Sequence, residues 1–446
     1  RAVKALAKAR DAETIAWFLQ TGLKSPNEEV RLGIVEVLGI LKDPSTVERL
    51  TEMVKDKSPE VRAEAYAALA AIGDPKRSDV AAKGFLAESH WLPKAFALEC
   101  AVRLSPAASA ELLAKGAKDK NYQVRLVAAE MIPLAEGAEL PSLLGELVND
   151  DDWRVRSAAI ESCAAMKKKI GVEFLVERLP KERGRLRGDI LIALRKLTGK
   201  ENGLDPKAWK KWWETNRQGF EPVGAEKADT KKPTGKGKEG ETTVEEFPQL
   251  GDTDVVRFLD LPILSTRTAF VLDLSGSMRD ELKEKEDPDE KTKTRLDVAK
   301  REIVKTIAAF PAEMCFNVIL LGSERDGAYD RGKKVWQGGL VPASGSGKLA
   351  AAKFVDRQIA RGWTNIYDAL ALAFEDPNVD TICLYSDGGA TRGVFVATDE
   401  ILHHIRKFNR FRRIAIHAIE LDSSARDNKR LMRGLSEATG GIYTAK

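Results

Sequence analysis

No run of apolar residues approaches the roughly 20 needed to span a bilayer as a helix, so the chain reads as one that does not insert into membranes. Charge bias is nearly absent too. Lys and Arg number 72 against 68 Asp and Glu, and a net charge of +4 over this length is too small to select nucleic acid or an anionic membrane. Cysteine is scarce: Cys100, Cys163, Cys315 and Cys383 lie inside apolar patterns with no CxxC spacing, which reads as buried free thiols rather than a disulfide frame or zinc site. The four histidines, His90, His403, His404 and His417, form no HExxH, and no GxSxG or other nucleophile motif is present. No catalytic constellation emerges, and the chain reads as a binding protein rather than an enzyme. SGSGK at 344–348 is no phosphate loop, because Pro342 stands where GxxxxGK needs its first glycine and Leu349 replaces Ser or Thr. The thiols favour a reducing compartment such as the cytoplasm, whereas a start at Arg1, inside a repeat pattern, leaves a removed signal peptide and a secreted or periplasmic location open.

What the sequence does have is periodicity. Hydrophobic residues at 43% and charged residues at 31% suit a globular protein, and 446 residues are long for one core. The pairs Val30-Arg31, Val61-Arg62, Pro93-Lys94, Val124-Arg125, Val155-Arg156 and Leu186-Arg187 have basic members 31, 32, 31, 31 and 31 residues apart. Four and eight residues past each first member stand apolar residues, from Ile34 and Leu38 to Ile190 and Leu194, which is one face of a helix. A second apolar pattern between copies, such as Val47, Leu50 and Val54, supplies a partner helix. Two helices in a period near 30 make an α-solenoid, in which each unit buries its apolar face only against its neighbours. This resembles the short-repeat form of the HEAT family over residues 1–200, with 1–20 as the tail of a preceding repeat. The resemblance implies that Asp56, Asp119 and Asp150, each six residues before a repeat arginine, bond between neighbouring units as scaffold. The third copy departs from the pattern, with Pro93-Lys94 after His90 and Trp91, and suggests a kink or a local contact surface.

Residues 201–221 hold a short closing helix: Asp205 as N-cap, Pro206 at the first helical position, and Trp209, Trp212 and Trp213 on one face. Those tryptophans, set among Lys207, Lys210 and Lys211, read as a seal on the last repeat; stacking on single-stranded nucleic acid is the rival reading. Residues 222–254 form a flexible linker, since 223–243 hold five Lys, four acids, four Gly and one Pro with Val223 as the only large aliphatic.

From about residue 255 short apolar strands alternate with helices. Strands are expected at 268–273, 316–321, 381–385, 413–421 and 441–444, helices at 295–310, 348–360, 366–374, 398–408 and 428–438, and a β-hairpin around Val335 and Leu340. This alternation predicts a doubly wound, Rossmann-like α/β domain over 255–446, which binds ligands at the carboxyl ends of its strands. Three loops there carry oxygen donors. VLDLSGSM places Asp273, Ser275 and Ser277 at i, i+2 and i+4 after a strand, GWTNIYDAL places Thr364 at a helix start, and LYSDGGAT places Asp387 after another strand. Two carboxylates, three hydroxyls and no soft ligand describe a hard-cation site, Mg²⁺ first, with Mn²⁺ or Ca²⁺ compatible.

These segments resemble the metal-ion-dependent adhesion site of von Willebrand factor A domains, DxSxS followed by Thr and then Asp. The resemblance implies that Asp273, Ser275, Ser277, Thr364 and Asp387 hold a metal whose shell a partner's Asp or Glu completes. It makes the charged loop 279–294 a solvated insertion or a ligand gate. Two rival readings come from architecture alone: RNA binding, as in Ro ribonucleoproteins, and an accessory role beside an AAA+ ATPase. The basic run Arg406, Lys407, Arg410, Arg412 and Arg413 reads as helix-end complementation, with an anion or RNA contact as its alternative. The whole arrangement resembles bacterial proteins that place HEAT-like repeats before a von Willebrand A domain.

Overall fold

The computed structural model describes residues 11–224, 255–259, 261–281, 294–322, 334–421 and 426–445. Most of the linker 222–254, most of the charged loop 279–294 and the first ten residues of the segment 1–20 lie outside the described residues. The described residues group into two compact units, one of 11–180 with 196–199 and 210–224, the other of 181–195, 200–209 and the described part of 255–445.

The first unit is helical throughout its repeats. Helices Glu28–Leu41, Pro59–Ile72, Trp91–Leu104, Tyr122–Met131 and Trp153–Met166 recur at the predicted period, and Gly184–Thr198, most of which belongs to the second unit, falls at the next interval. Partner helices Val47–Met53, Ser78–Ala87, Ala110–Gly116, Leu140–Leu147 and Lys169–Arg178 alternate with them. The apolar positions four and eight past each first repeat residue, such as Leu38, Ala65, Leu69, Ala97, Ala128 and Cys163, are all buried. Burying one Leu of this kind contributes roughly 2 kcal/mol, so the stripe rather than helix propensity holds the unit together.

Charge fixes the register between neighbouring repeats. Arg31 makes a two-point bond to Asp56 of the next repeat, at 2.8 and 2.9 Å, and Arg125 does the same to Asp150 at 2.7 and 2.9 Å. Each acid also accepts the amide of the next helix's N-cap residue, Ser58 for Asp56 and Asp152 for Asp150, both at 2.8 Å. Six residues further on, the arginine of the same repeat reaches back to the acid's carbonyl, as Arg62 does to Asp56 O at 2.9 Å. The third copy keeps this wiring. Arg62 bonds Glu88 in place of an aspartate, Lys94 pairs with Asp119 at 2.7 Å, and His90 caps the helix by accepting the Leu92 amide. The helix runs unbroken from Trp91 to Leu104, with Pro93 in the first helical turn, where its missing N–H has no partner to lose.

In the closing helix Pro206–Asn216, Trp209 and Trp213 are buried, and Phe220 packs edge-on against Trp212 and Trp213. Trp209 and Trp213 thus face protein rather than solvent.

The second unit is a six-stranded sheet in the order β5-β4-β3-β6-β7-β8. A short antiparallel pair, β1 (Arg257–Phe258) and β2 (Leu261–Pro262), precedes it. β3 (Arg267–Asp273), β4 (Cys315–Leu321), β6 (Thr381–Ser386), β7 (Ala415–Glu420) and β8 (Tyr443–Ala445) are parallel, and β5 (Val341–Pro342) is an antiparallel edge. The expected hairpin around Val335 and Leu340 does not form as such, because Val335 and β5 each pair with β4 instead of with one another. Alternate β3 residues face opposite ways. Phe270 and Leu272 meet helices α1 (Arg295–Ala309) and α2 (Gly345–Asp356); Ala269 and Val271 meet α3 (Ile366–Glu375), α4 (Thr398–Asn409) and α5 (Arg426–Thr439). Helices on both faces make the doubly wound fold that the alternation predicts. The chain leaves β3 on one side to β4 and returns on the other to β6, so the carboxyl ends of β3 and β6 flank the switch point.

Candidate metal centre

β3 delivers Asp273 to the switch point, fully buried, as its last residue. The Ser275 amide donates to Asp273 Oδ1 at 2.7 Å, and one tight helical turn over Gly276–Arg279 then carries the chain away. That turn puts Met278 in the core, leaves Ser277 exposed, and sets the Ser275 and Ser277 hydroxyls 3.1 Å apart. This is the physical content of the i, i+2, i+4 spacing: extended backbone first, then a turn that brings the third side chain back beside the second.

A second loop is laced to the first. The Gly276 amide donates to Gly362 O at 3.2 Å, the Arg361 amide to Leu274 O at 2.6 Å, and Arg279 Nε to Ala360 O at 2.8 Å. Thr364, buried just beyond, is held to the third loop: its amide donates to Thr391 Oγ1 at 3.0 Å and its carbonyl accepts the amides of Thr391 and Arg392. The third loop begins at Asp387, directly after β6, and turns through Gly388 and Gly389 with φ of +79° and +83°. A side chain at Gly388 would meet Asn428 Cβ at 2.7 Å, so the tight passage there requires glycine.

Three of the five candidate residues are tied to one another by hydrogen bonds of one loop. Asp273, Ser275 and Ser277 share the first loop, where Asp273 accepts the Ser275 amide and the two serine hydroxyls meet, and Ser277 pulls the Asp387 carboxyl downward. Thr364 joins them through backbone bonds of its loop. Three further residues shape the site that its motif did not mark. The Ser386 hydroxyl donates to Asp273 Oδ2 and accepts the Gly388 amide at 3.0 Å. Arg295, at the start of α1, places Nη1 2.9 Å from Asp387 Oδ2, and Thr391 clasps Thr364. Ser386 adjoins Asp387 in sequence, but nothing in the sequence distinguishes it from any strand-end serine.

The electrostatics favour a cation. Burial, and then the neighbouring Asp387 charge, push the Asp273 carboxyl up to about 7, against the hydrogen bonds from Ser386 and Ser275. Burial raises Asp387 as well, opposed by Ser277 and Arg295. Asp387 Oδ1 is buried without a hydrogen-bond partner. A buried acceptor of this kind beside a second carboxylate and two hydroxyls fits an oxygen-liganded divalent ion. No group of three or more His, Cys, Asp or Glu among the described residues is arranged to hold a metal, so any ion here would rely on hydroxyl donors.

The HEAT repeats family model matches residues 1–54, 15–100 and 109–195. Over 181 residues, 41% of its length, the chain is 25% identical to human von Willebrand factor A domain-containing protein 3A. The chain joins HEAT repeats to a von Willebrand A-like domain. It covers only 13% of that human relative. Among solved structures, a von Willebrand factor type A protein from Catenulispora acidiphila is similar at 19% identity, covering 42% of this chain and 39% of that one, with a TM-score of 0.32. The complex of CpcE and CpcF of phycocyanin lyase from Nostoc sp. PCC7120 is similar at 16% identity, covering 43% of this chain and 79% of that one, with a TM-score of 0.32.

Two other signals in the von Willebrand A-like domain are absorbed by its fold. SGSGK starts α2, where Ser344 caps by accepting the Gly347 amide at 3.1 Å and Lys348 bonds the carbonyls of Ala308 and Phe310. In the basic run, Arg406 and Lys407 sit in the last turn of α4, Arg410 lies over the Phe411 ring, and Arg412 bonds Asp376 O. These contacts support the helix-end reading.

Proposed function

We propose that the von Willebrand A-like domain is a divalent-cation-dependent binding module and that the HEAT repeats serve as its scaffold. Asp273, Ser275, Ser277, Thr364 and Asp387 are the ligands in this reading, for Mg²⁺ first and Mn²⁺ or Ca²⁺ as compatible ions. Bound there, the ion supplies an open coordination position that a partner protein's Asp or Glu fills. The chain binds rather than catalyses. A single observation carries the proposal: two buried carboxylates converge at the switch point, each raised by burial, and one keeps a buried oxygen without a hydrogen-bond partner. Such a pair is costly alone and favourable around a cation. Isothermal titration with MgCl₂ and MnCl₂ tests it. Wild type should take up one ion per chain and Asp273→Ala none; equal uptake by both would overturn the assignment.

A further inference from the structure

The rim of this site carries an exposed tryptophan, which is unusual so close to polar ligands. Trp363 precedes Thr364 and is 43% exposed, whereas the large hydrophobic side chains of the sheet are buried. Arg392 lies across it, with the guanidinium carbon 5.0 Å from the ring centroid, and is itself exposed. The pair is built on a fixed backbone, because the Thr364 carbonyl accepts the amides of both Thr391 and Arg392. A guanidinium resting over an indole face is partly ordered already and loses less freedom when it meets a carboxylate. The two loops also share a sign. Residues 360–365 and 388–397 contain Arg361 and Arg392, both exposed, and no Asp or Glu.

We propose that Trp363 and Arg392 form a second recognition point, which selects an acidic peptide segment carrying two carboxylates, one for the metal position and one for Arg392. The proposal rests on the metal-dependent reading above and names its partner class. Trp363 is a positioning residue: it holds the guanidinium, and the apolar stem of the segment lies along its remaining exposed surface. A segment with a single acid would bind through the metal alone.

The test uses the full chain and fluorescein-labelled glycine hexapeptides bearing one glutamate, or two glutamates one to four positions apart, read by fluorescence anisotropy in MgCl₂ and in EDTA. Wild type in Mg²⁺ should bind at least one two-glutamate peptide about tenfold more tightly than the one-glutamate peptide, the advantage typical of one charge-assisted pair. Arg392→Ala should abolish that advantage while leaving one-glutamate binding unchanged, Arg392→Lys should restore part of it, and Trp363→Ala should reduce it with the thermal midpoint unaltered. An advantage that survives in Arg392→Ala, or no advantage in any spacing, overturns this proposal alone. One-glutamate binding that ignores EDTA and Asp273→Ala overturns the metal-dependent reading and this inference with it.

Discussion

Replacing a metal ligand normally weakens a protein, yet Asp273→Asn should stabilise this domain when no divalent ion is present. In the metal-free protein, burial and the Asp387 charge hold the Asp273 carboxyl at about 7, above the value of 3.8 for a free carboxyl. The folded state therefore binds more protons than the unfolded state between those two values. Metal-free stability should fall as pH rises from about 4 through 7 and level off above. A gap of about three pH units corresponds to about 4 kcal/mol of strain in the ionised form at pH 8. Asparagine removes that charge but not every contact. Its amide oxygen still accepts the Ser275 amide, while the Ser386 hydroxyl loses the oxygen to which it donates, a cost of about 1–2 kcal/mol. The net expectation is a gain of about 2–3 kcal/mol for Asp273→Asn in EDTA at pH 8, shrinking to a loss near pH 4. In MgCl₂ at about 100 times Kd, wild type should gain about 2.7 kcal/mol and the variant nothing. Urea denaturation, with and without EDTA at the two pH values, reads all four quantities. A variant less stable than wild type in EDTA at pH 8 would refute the claim that the ionised carboxylate pair is strained.

Other expectations follow from the same geometry. Arg31→Met leaves Asp56 buried without its partner and should cost about 3–5 kcal/mol in urea denaturation of the repeats. Asp56 behaves oppositely to Asp273. Burial raises its carboxyl, but the bonds from Arg31 and Ser58 outweigh burial and leave it below 3.8, so its contribution is present above that pH and is lost as pH falls further. Circular dichroism of the repeats during acid titration should therefore show weakening only below about pH 4. Gly388→Ala forces a side chain into left-handed backbone 2.7 Å from Asn428 Cβ, and should destabilise the Asp387 loop by about 1–2 kcal/mol and weaken the Mg²⁺ titration. Ellman's reagent should leave Cys100, Cys163 and Cys383 unreacted in the native protein, since all three are buried and their thiols are pushed up; all four cysteines should react after unfolding.

Much of this was legible in the sequence because it depends on local periodicity. The repeat helices follow from apolar residues at fixed spacing, and the candidate ligands follow from oxygen-bearing residues at strand ends. What stayed hidden depends on contacts between distant segments. Ser386 reaching Asp273, Arg295 reaching Asp387 and Thr391 clasping Thr364 are choices of the folded loops that no spacing encodes. The third repeat misleads for a different reason. Pro93 breaks the Val-Arg pattern that identifies a repeat but not the geometry of a helical first turn, and Glu88 performs the task that aspartate has elsewhere. The hairpin expected near Val335 does not form because a short edge segment pairs with whichever strand its neighbours bring closest, here β4.

The cations Arg31, Arg62, Lys94 and Arg125 are each matched by an acid of the repeat that follows, so the array has polarity and its links are interchangeable. Excising one complete unit, 57–88, keeps the Arg31–Asp56 pair and sets Asp56 two residues ahead of the helix cap His90, where Glu88 stands now. Gain or loss of whole copies then leaves no charge stranded inside. Solenoids wired in this way can lengthen or shorten over evolutionary time by recombination at any junction, without needing a compensating change elsewhere.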